Sequence, residues 1–247
     1  MSLNPFDLTD QTVVIVGASS GIGAATARLS SQLGSHVILV SRSMDKLEAV
    51  RATLPHPENA RSIAAGYLDR DALNAAFSDV GSIHHIVIPA VANENKKRGA
   101  FTALPVDTMR ASFDKFWGQT FVVQALGQRI VQGGSVTLFA SVAGLKPSGA
   151  DSGLSIMNGV QAAVMQTGRS LAIELAPVRV NVLAPGVVLT SVWTSEPRGD
   201  LKSWMEKSLP ARIAGEPEHI AQAAVSLMTN RYITGAVLPV DGGLQTT

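Results

Sequence analysis

Three glycines, Gly17, Gly21 and Gly23, follow directly on the β-branched run Thr12-Val13-Val14-Ile15-Val16 and directly precede the helix-forming stretch Ala24-Ala25-Thr26-Ala27-Arg28-Leu29. A buried strand, a glycine turn and a helix in that order admit few arrangements. The glycines let the backbone turn sharply and approach a pyrophosphate, and the free N–H groups and positive end of the helix then face its charge. Glycine is common in any turn. The strand before it and the helix after it turn Gly17-Ala18-Ser19-Ser20-Gly21-Ile22-Gly23 into a dinucleotide-site signal.

Further strand signals recur at residues 36–40, 61–65, 84–88, 135–139, 179–183 and 236–240, and helical segments are expected to begin near Gly21, Asp45, Asp69, Pro105, Trp117, Gly153 and Pro217. Apolar strands separated by helices predict a mostly parallel sheet of an α/β protein, covered on both faces. No linker-like tract breaks the alternation, so residues 1–247 read as one domain. Ligands of such sheets sit beyond the carboxyl ends of the strands. Chemistry is therefore sought after Val16, Val40, Ile88, Ala140 and Leu183. His84 and His85 stand at the start of a strand and read as structural.

Lys plus Arg number 20 and Asp plus Glu 19, a formal charge of +1, which gives no electrostatic case for nucleic acid or an anionic membrane. A small-molecule partner is expected instead. The absence of cysteine excludes a thiolate nucleophile, a disulfide or a cysteine-bound metal, and no metal site is expected. No basic segment followed by an apolar stretch opens the chain and no apolar run approaches a membrane span, so a cytoplasmic location is expected.

The second strand runs into Val40-Ser41-Arg42-Ser43 without the acidic side chain that would bind the ribose hydroxyls of NAD. Arg42 has two readings. It forks onto a 2′-phosphate, with Ser19, Ser41 or Ser43 adding hydroxyl donors, or it is a solvated residue at a helix start. The first predicts NADP(H) in preference to NAD(H).

With the loop, Ser141-Val142-Ala143-Gly144 after the fifth strand, Asn181-Val182-Leu183-Ala184-Pro185-Gly186 leading to Thr190, and Tyr232-Ile233-Thr234-Gly235 through Asp241-Gly242-Gly243, the chain resembles the short-chain dehydrogenase/reductase family. The resemblance implies a single-domain Rossmann fold: a doubly wound parallel sheet of about seven strands with helices on both faces, assembled as a homo-dimer or homo-tetramer. It also implies that Gly17, Ser20, Ile22 and Gly23 hold the pyrophosphate, with Ser19 and Gly21 in the same loop. Pro185, Gly186, Val188 and Thr190 would line the nicotinamide side. Two departures touch the cofactor site. The family's Asn-Asn-Ala-Gly is replaced by Ile88-Pro89-Ala90-Val91, where Ala90 stays among the expected contacts, and the adenine-contacting Asp corresponds to Gly66.

A third departure touches the chemistry. The family places Tyr thirteen positions after the active-site Ser and Lys four beyond it, on one helix face. Counted from Ser141, these positions hold Leu154 and Asn158, and the only tyrosines are Tyr67 and Tyr232. Lys115, ahead of Phe116-Trp117-Gly118, stands where many family members carry an Asn, as if Lys and Asn were exchanged. Either Lys115 brings its ammonium near Asn158 and Ser141, or it snorkels to solvent. Ser141 either binds a substrate oxygen or satisfies a loop backbone group. Ser155 and the Asp151-Ser152 pair are the only replacement donors in view.

The stretch from about 190 to 215 is expected to form a lid, whose Trp193, Trp204, Met205 and Leu209 suit an apolar pocket while Arg198 and Lys202 suit an anionic group. Two functions follow from the sequence. The first is an NADP(H)-dependent oxidoreductase acting on a small carbonyl or alcohol through Ser141, Lys115 and Asn158. The alternative is a redox-inactive NADP(H)-binding sensor or partner subunit.

Overall fold

In a parallel sheet covered on both sides, successive residues of each strand are buried on opposite faces. The strands here obey that rule. Val14, Ile86, Val136, Leu138, Val180 and Val182 enter one core layer, and Val13, Ile15, Val37, Leu39, Val87, Phe139 and Leu183 enter the other. The computed structural model describes residues 4–91, 97–147, 149, 152–191 and 200–247.

The strands are β1 (Thr12–Val16), β2 (His36–Ser41), β3 (Ala60–Ala64), β4 (Ile83–Val87), β5 (Ile130–Phe139), β6 (Arg179–Pro185) and β7 (Val237–Val240). They form one sheet of order β3-β2-β1-β4-β5-β6-β7, and each described pair is parallel. This is a doubly wound Rossmann sheet with helices on both faces. Among the helices, α1 (Gly21–Gln32) and α2 (Met44–Arg51) follow β1 and β2, and α3 (Arg70–Ala76) follows β3. Next come α4 (Val106–Ser112), α5 (Asp114–Leu126), α6 (Ser155–Glu174), α7 (Leu201–Ser208) and α8 (Pro217–Thr229). Leu73 of α3, Val122 and Leu126 of α5 and Val164 of α6 close one layer; Ala27 of α1 and Ile220, Ala224 and Val225 of α8 close the other.

Local chemistry explains most helix starts. Asp69 accepts a hydrogen bond from the Ala72 N–H at 2.9 Å and caps α3, while Pro217 and a capping box of Glu216 and His219 begin α8. Three expectations shift. Helix α5 begins at Asp114 rather than near Trp117, because helical Phe113 carries α4 straight into it and an acidic residue sits in its first turn. Strand β5 begins at Ile130, five residues before the apolar alternation becomes visible; its pairing with β4 shifts between Ile83 and His85, and Gly133 has φ +82° there. Within the expected lid, residues 201–208 form α7, capped by Asp200 accepting from the Ser203 N–H at 2.9 Å.

The amino edge of the sheet is tied by polar side chains. Arg179 is buried at the start of β6 and donates to the carbonyls of Leu227 and Met228 at 2.6 Å each, of Asn230 at 3.1 Å and of Ile233 at 3.2 Å. It thereby satisfies the carbonyls at the carboxyl end of α8, where a cation is also favoured by the helix dipole. His84 Nδ1 accepts from the Thr12 N–H at 3.0 Å. His85 lies between Ser135 Oγ at 2.8 Å and Gln11 Oε1 at 2.7 Å. Because the Gln11 oxygen only accepts, His85 carries its proton on Nε2, and Nδ1 accepts from the serine.

Burial, reinforced by the positive charges of Arg179, His84 and Arg231, lowers the His85 pKa to about 3 from the ordinary 6.5. Below pH 6.5 the unfolded chain binds a proton that the folded chain refuses, so this group makes stability fall as pH drops toward 3, at about 1.4 kcal/mol per pH unit. Urea denaturation of the wild type and of His85→Gln between pH 7 and pH 4 checks this. The wild type is expected to lose stability with the additional slope of one proton, which His85→Gln lacks, and parallel curves would refute the assignment.

Candidate active site

The sheet order reverses at β1 and β4, whose following segments leave toward opposite faces and open a crevice at the carboxyl edge. Three cavities lie along that edge among the described residues. The first, of about 220 Å³, lies over β1, β2 and β4 and is lined by Gly17, Ser19, Ser20, Gly21, Ile22, Gly23, Ser41, Arg42, Tyr67, Ala90 and Thr190, among others. The loop fits no larger residues at its turn. A Cβ on Gly23 would overlap the Gly17 carbonyl, and one on Gly17 would lie 2.8 Å from the Ala90 backbone. Ser20 precedes α1 without a side-chain capping bond, so the first N–H groups of this helix face the cavity uncapped.

No acidic side chain lines this cavity among the described residues, and Arg42 does. Backbone donors at a helix start beside a guanidinium suit a dinucleotide pyrophosphate and a further phosphate. Ser41 lines the cavity as expected. Ser43 begins α2 and donates its N–H to Ser41 Oγ at 3.3 Å, without lining the cavity. Tyr67, to which the sequence assigns no role, stands three residues beyond β3. It lines both this cavity and an adjoining one of about 510 Å³, with Arg42, Gly66, Lys97 and Asp107, and its ring rests where any side chain on Gly118 would stand. Its place just beyond β3 is the signal that the strand-end rule offered.

The second cavity, of about 460 Å³, lies beyond β5 and β6. Ser141, Leu154, Met157, Asn158, Gln161, Gly186, Val187, Trp204 and Leu244 line it, with Arg98 and Lys146 as exposed cations. The structure thus brings together Ser141, which keeps its expected position, with Leu154 and Asn158, the positions at which the pattern departs. Ser141 Oγ accepts from the Ala143 N–H at 3.3 Å, which leaves its own proton for a ligand. The amide oxygen of Asn158 is buried and has no hydrogen-bond partner among the described residues.

Lys115 does not snorkel out. It is only 3 % exposed, and its Nζ donates to the carbonyl of Ala140, the residue before Ser141, at 3.4 Å. One turn along α5, Gln119 accepts from the Phe139 N–H at 2.7 Å and donates to the Phe139 carbonyl at 2.9 Å. Lys115 and Gln119 therefore face the end of β5 together, as an i,i+4 pair must. No hydrogen bond joins Lys115 to the Asn158 oxygen.

Of the remaining expected contacts, Pro185 ends β6, Gly186 lines the second cavity, Val188 is buried in the core and Thr190 lines the first. Trp204 reaches the second cavity from α7, whereas Met205 and Leu209 pack beneath with Ala214. Lys202 lies on the surface 3.9 Å from Glu206, and Arg98 and Lys146 take the place expected of it at the cavity. Ser152 and Ser155 do not line the cavity. Asp151, Trp193 and Arg198 lie outside the described residues.

A family model described as enoyl-(acyl carrier protein) reductase matches residues 17–245. The chain is 30% identical over 244 residues to the 3-oxoacyl-[acyl-carrier-protein] reductase of Bos taurus, covering 96% of this chain and 99% of that protein. It is 28% identical over 239 residues to carbonyl reductase family member 4 of Danio rerio, covering 94% and 97%. A solved small-chain dehydrogenase in complex with NADPH superposes with a TM-score of 0.78 at 27% identity, covering 96% of this chain and 100% of the other.

The close packing of the glycine loop yields a direct test. Gly23→Ala is expected to force Gly17 away from its place, weakening dinucleotide binding by tenfold or more and costing about 1–3 kcal/mol of stability. Fluorescence titration and thermal melting measure the two effects, and unchanged affinity would contradict the backbone cradle.

Proposed function

The chain belongs to the short-chain dehydrogenase/reductase family of oxidoreductases, and from that premise we propose that it binds NADP(H) in preference to NAD(H) and reduces a small carbonyl or oxidises the corresponding alcohol through a non-standard active site. The observation that carries this reading is the buried ammonium of Lys115 at the Ala140 carbonyl, immediately beside Ser141.

When bound, the nicotinamide supplies or accepts the hydride. The chain's own residues do the rest. The loop from Gly17 through Ser19, Ser20, Gly21 and Ile22 to Gly23 holds the pyrophosphate with backbone N–H groups. Arg42 and the Ser41 hydroxyl take the 2′-phosphate, with Ser43 fixing Ser41. Ala90, Gly186 and Thr190 form the wall on the nicotinamide side, with buried Pro185 and Val188 supporting it from within. The partnerless Asn158 oxygen accepts from a ribose hydroxyl, as a buried acceptor requires.

Ser141 donates its proton in a hydrogen bond to the substrate oxygen, and Lys115 places a fixed positive charge close to where negative charge develops. In a site shielded from water such a charge lowers the barrier more than it would in solvent. Lys115 keeps its charge throughout, and the carbinolate oxygen takes its proton through the Ser141 hydroxyl, which solvent in the cavity reprotonates. The assembly we propose is a homo-oligomer serving a small-molecule substrate.

A second reading has its own observation. Leu154 lines the second cavity where the family carries its phenol, and no tyrosine, histidine, aspartate or glutamate lines it among the described residues. That arrangement favours a redox-inactive NADP(H) sensor or partner subunit.

Two measurements decide. Arg42→Ala is expected to abolish a preference for NADPH over NADH of at least about tenfold, the worth of one charge-assisted fork; equal dissociation constants in the wild type would refute the NADP assignment. On a panel of aldehydes, ketones and alcohols, Ser141→Ala and Lys115→Met are each expected to lower kcat by roughly 10²–10³-fold. Bound NADPH with no turnover on that panel selects the sensor reading.

A further inference from the structure

Helix α6 buries Met157, Val160, Gln161, Val164, Met165 and Gly168 along one stripe, and Gln161 is the one polar side chain among them. It is 3 % exposed, yet its Oε1 has no hydrogen-bond partner, and the residue lines the second cavity. Its stem is fixed from outside, because Gly144 leaves room for the Gln161 Cβ and the Ala162 backbone and for nothing larger. Three residues earlier on the same helix face, Asn158 presents a second buried amide oxygen without a partner. Ser30, Ser35 and Thr137 also carry buried hydroxyls without partners, but none of them lines any of the three cavities.

A buried amide oxygen left without a donor is costly, and a valine or leucine at this position would continue the apolar stripe at no such cost. The oxygen exposes almost no surface to the cavity, so a ligand meets it by a turn of the carboxamide about its broad terminal torsion, and a cavity wall that keeps such a group suits a ligand that satisfies it. The apolar walls, Leu154, Met157, Val187, Leu244 and Trp204, take a hydrophobic body. Ser141 supplies a donor for a carbonyl oxygen, so the group facing Gln161 must be different in kind.

We propose that Gln161 is a substrate-specificity residue: its buried carboxamide accepts a hydrogen bond from a hydroxyl or N–H donor that the substrate carries in addition to its reacting carbonyl. The substrate class is an apolar oxo compound with a neighbouring donor group, such as a hydroxyketone. This rests on the reading of the second cavity as the substrate site.

The test uses the full chain, alone and saturated with NADP⁺, titrated calorimetrically with 2-hydroxyacetophenone and 2-methoxyacetophenone. These share one body and differ in possession of the donor. The wild type is expected to bind the hydroxyketone about tenfold more tightly, the worth of one buried hydrogen bond. In Gln161→Leu, and in Gln161→Met as an independent volume match, the ratio is expected to fall to about one. Melting temperatures of both ligand-free variants are expected to hold or rise.

A ratio near one in the wild type overturns the proposal, and so does a fall in melting temperature in both variants, which would show Gln161 holding the fold. NADPH titration of the same variants separates the sources of the donor. Unchanged affinity supports a substrate donor, whereas a tenfold loss with the ketone ratio unaltered assigns the donor to the cofactor carboxamide and overturns the substrate assignment. All readouts are binding and stability, so a lack of turnover refutes the reductase reading without touching this one, and a wild-type ratio near one refutes this one while leaving NADPH binding intact.

Discussion

The reversal of strand order between β1 and β4 is the constraint on which the rest of this molecule depends. Chain leaving β1 must cover one face of the sheet and chain leaving β4 the other, because right-handed crossovers in opposite directions along the sheet end on opposite sides. The two departing segments cannot fill the space between them. The glycine loop takes one wall of the resulting crevice and Ala90 the other, near enough that a Cβ on Gly17 would touch the Ala90 backbone. Residues lining the cavities are then placed by strand ends: Arg42 after β2, Tyr67 after β3, Ser141 after β5 and Gly186 after β6.

Those strand ends were the legible part of the sequence. Period and glycine spacing predict the sheet, the loop and the position of Ser141, because each depends on local chemistry that one segment carries by itself. The start of β5 was not legible, since residues 130–134 pair with β4 across an irregularity and lack the alternation of a regular strand. Helix α7 was hidden for a different reason. It is short and is held by an Asp200 cap and by Met205 packing beneath, while Trp204 points to the cavity, so its apolar residues serve two masters. Gln161 and Gln119 were invisible in principle: a glutamine in a helix has no sequence signature of burial, and only packing reveals that one pins β5 and the other lines a cavity.

The two edges of the sheet treat buried polarity differently. At the amino edge Arg179, His84 and His85 find protein partners, and the two terminal nitrogens of the guanidinium answer carbonyls of Leu227, Met228, Asn230 and Ile233, leaving its Nε as the one atom of that group without an acceptor. Such groups stabilise because their desolvation is offset by bonds within the chain. At the carboxyl edge the amide oxygens of Asn158 and Gln161 are left open. Two such amide oxygens on neighbouring turns of one helix at a cavity are the expected mark of a site whose last partners arrive with a ligand.

Lys115 shows how far this logic reaches. Removing an ammonium from water costs several kcal/mol unless neighbouring groups compensate, and a leucine would fill the same place in α5 at no such cost. The ammonium donates to the Ala140 carbonyl, so the sheet end supplies part of that compensation. The phenol that the family uses here is a titrating acid with its pKa lowered by a lysine; Leu154 offers no proton and makes the wall drier. A drier wall weakens screening, so under the proposed mechanism the Lys115 charge would act more strongly on an oxygen bound by Ser141. On the proposed reading, the leucine that supplies no acid also strengthens the field of the buried cation.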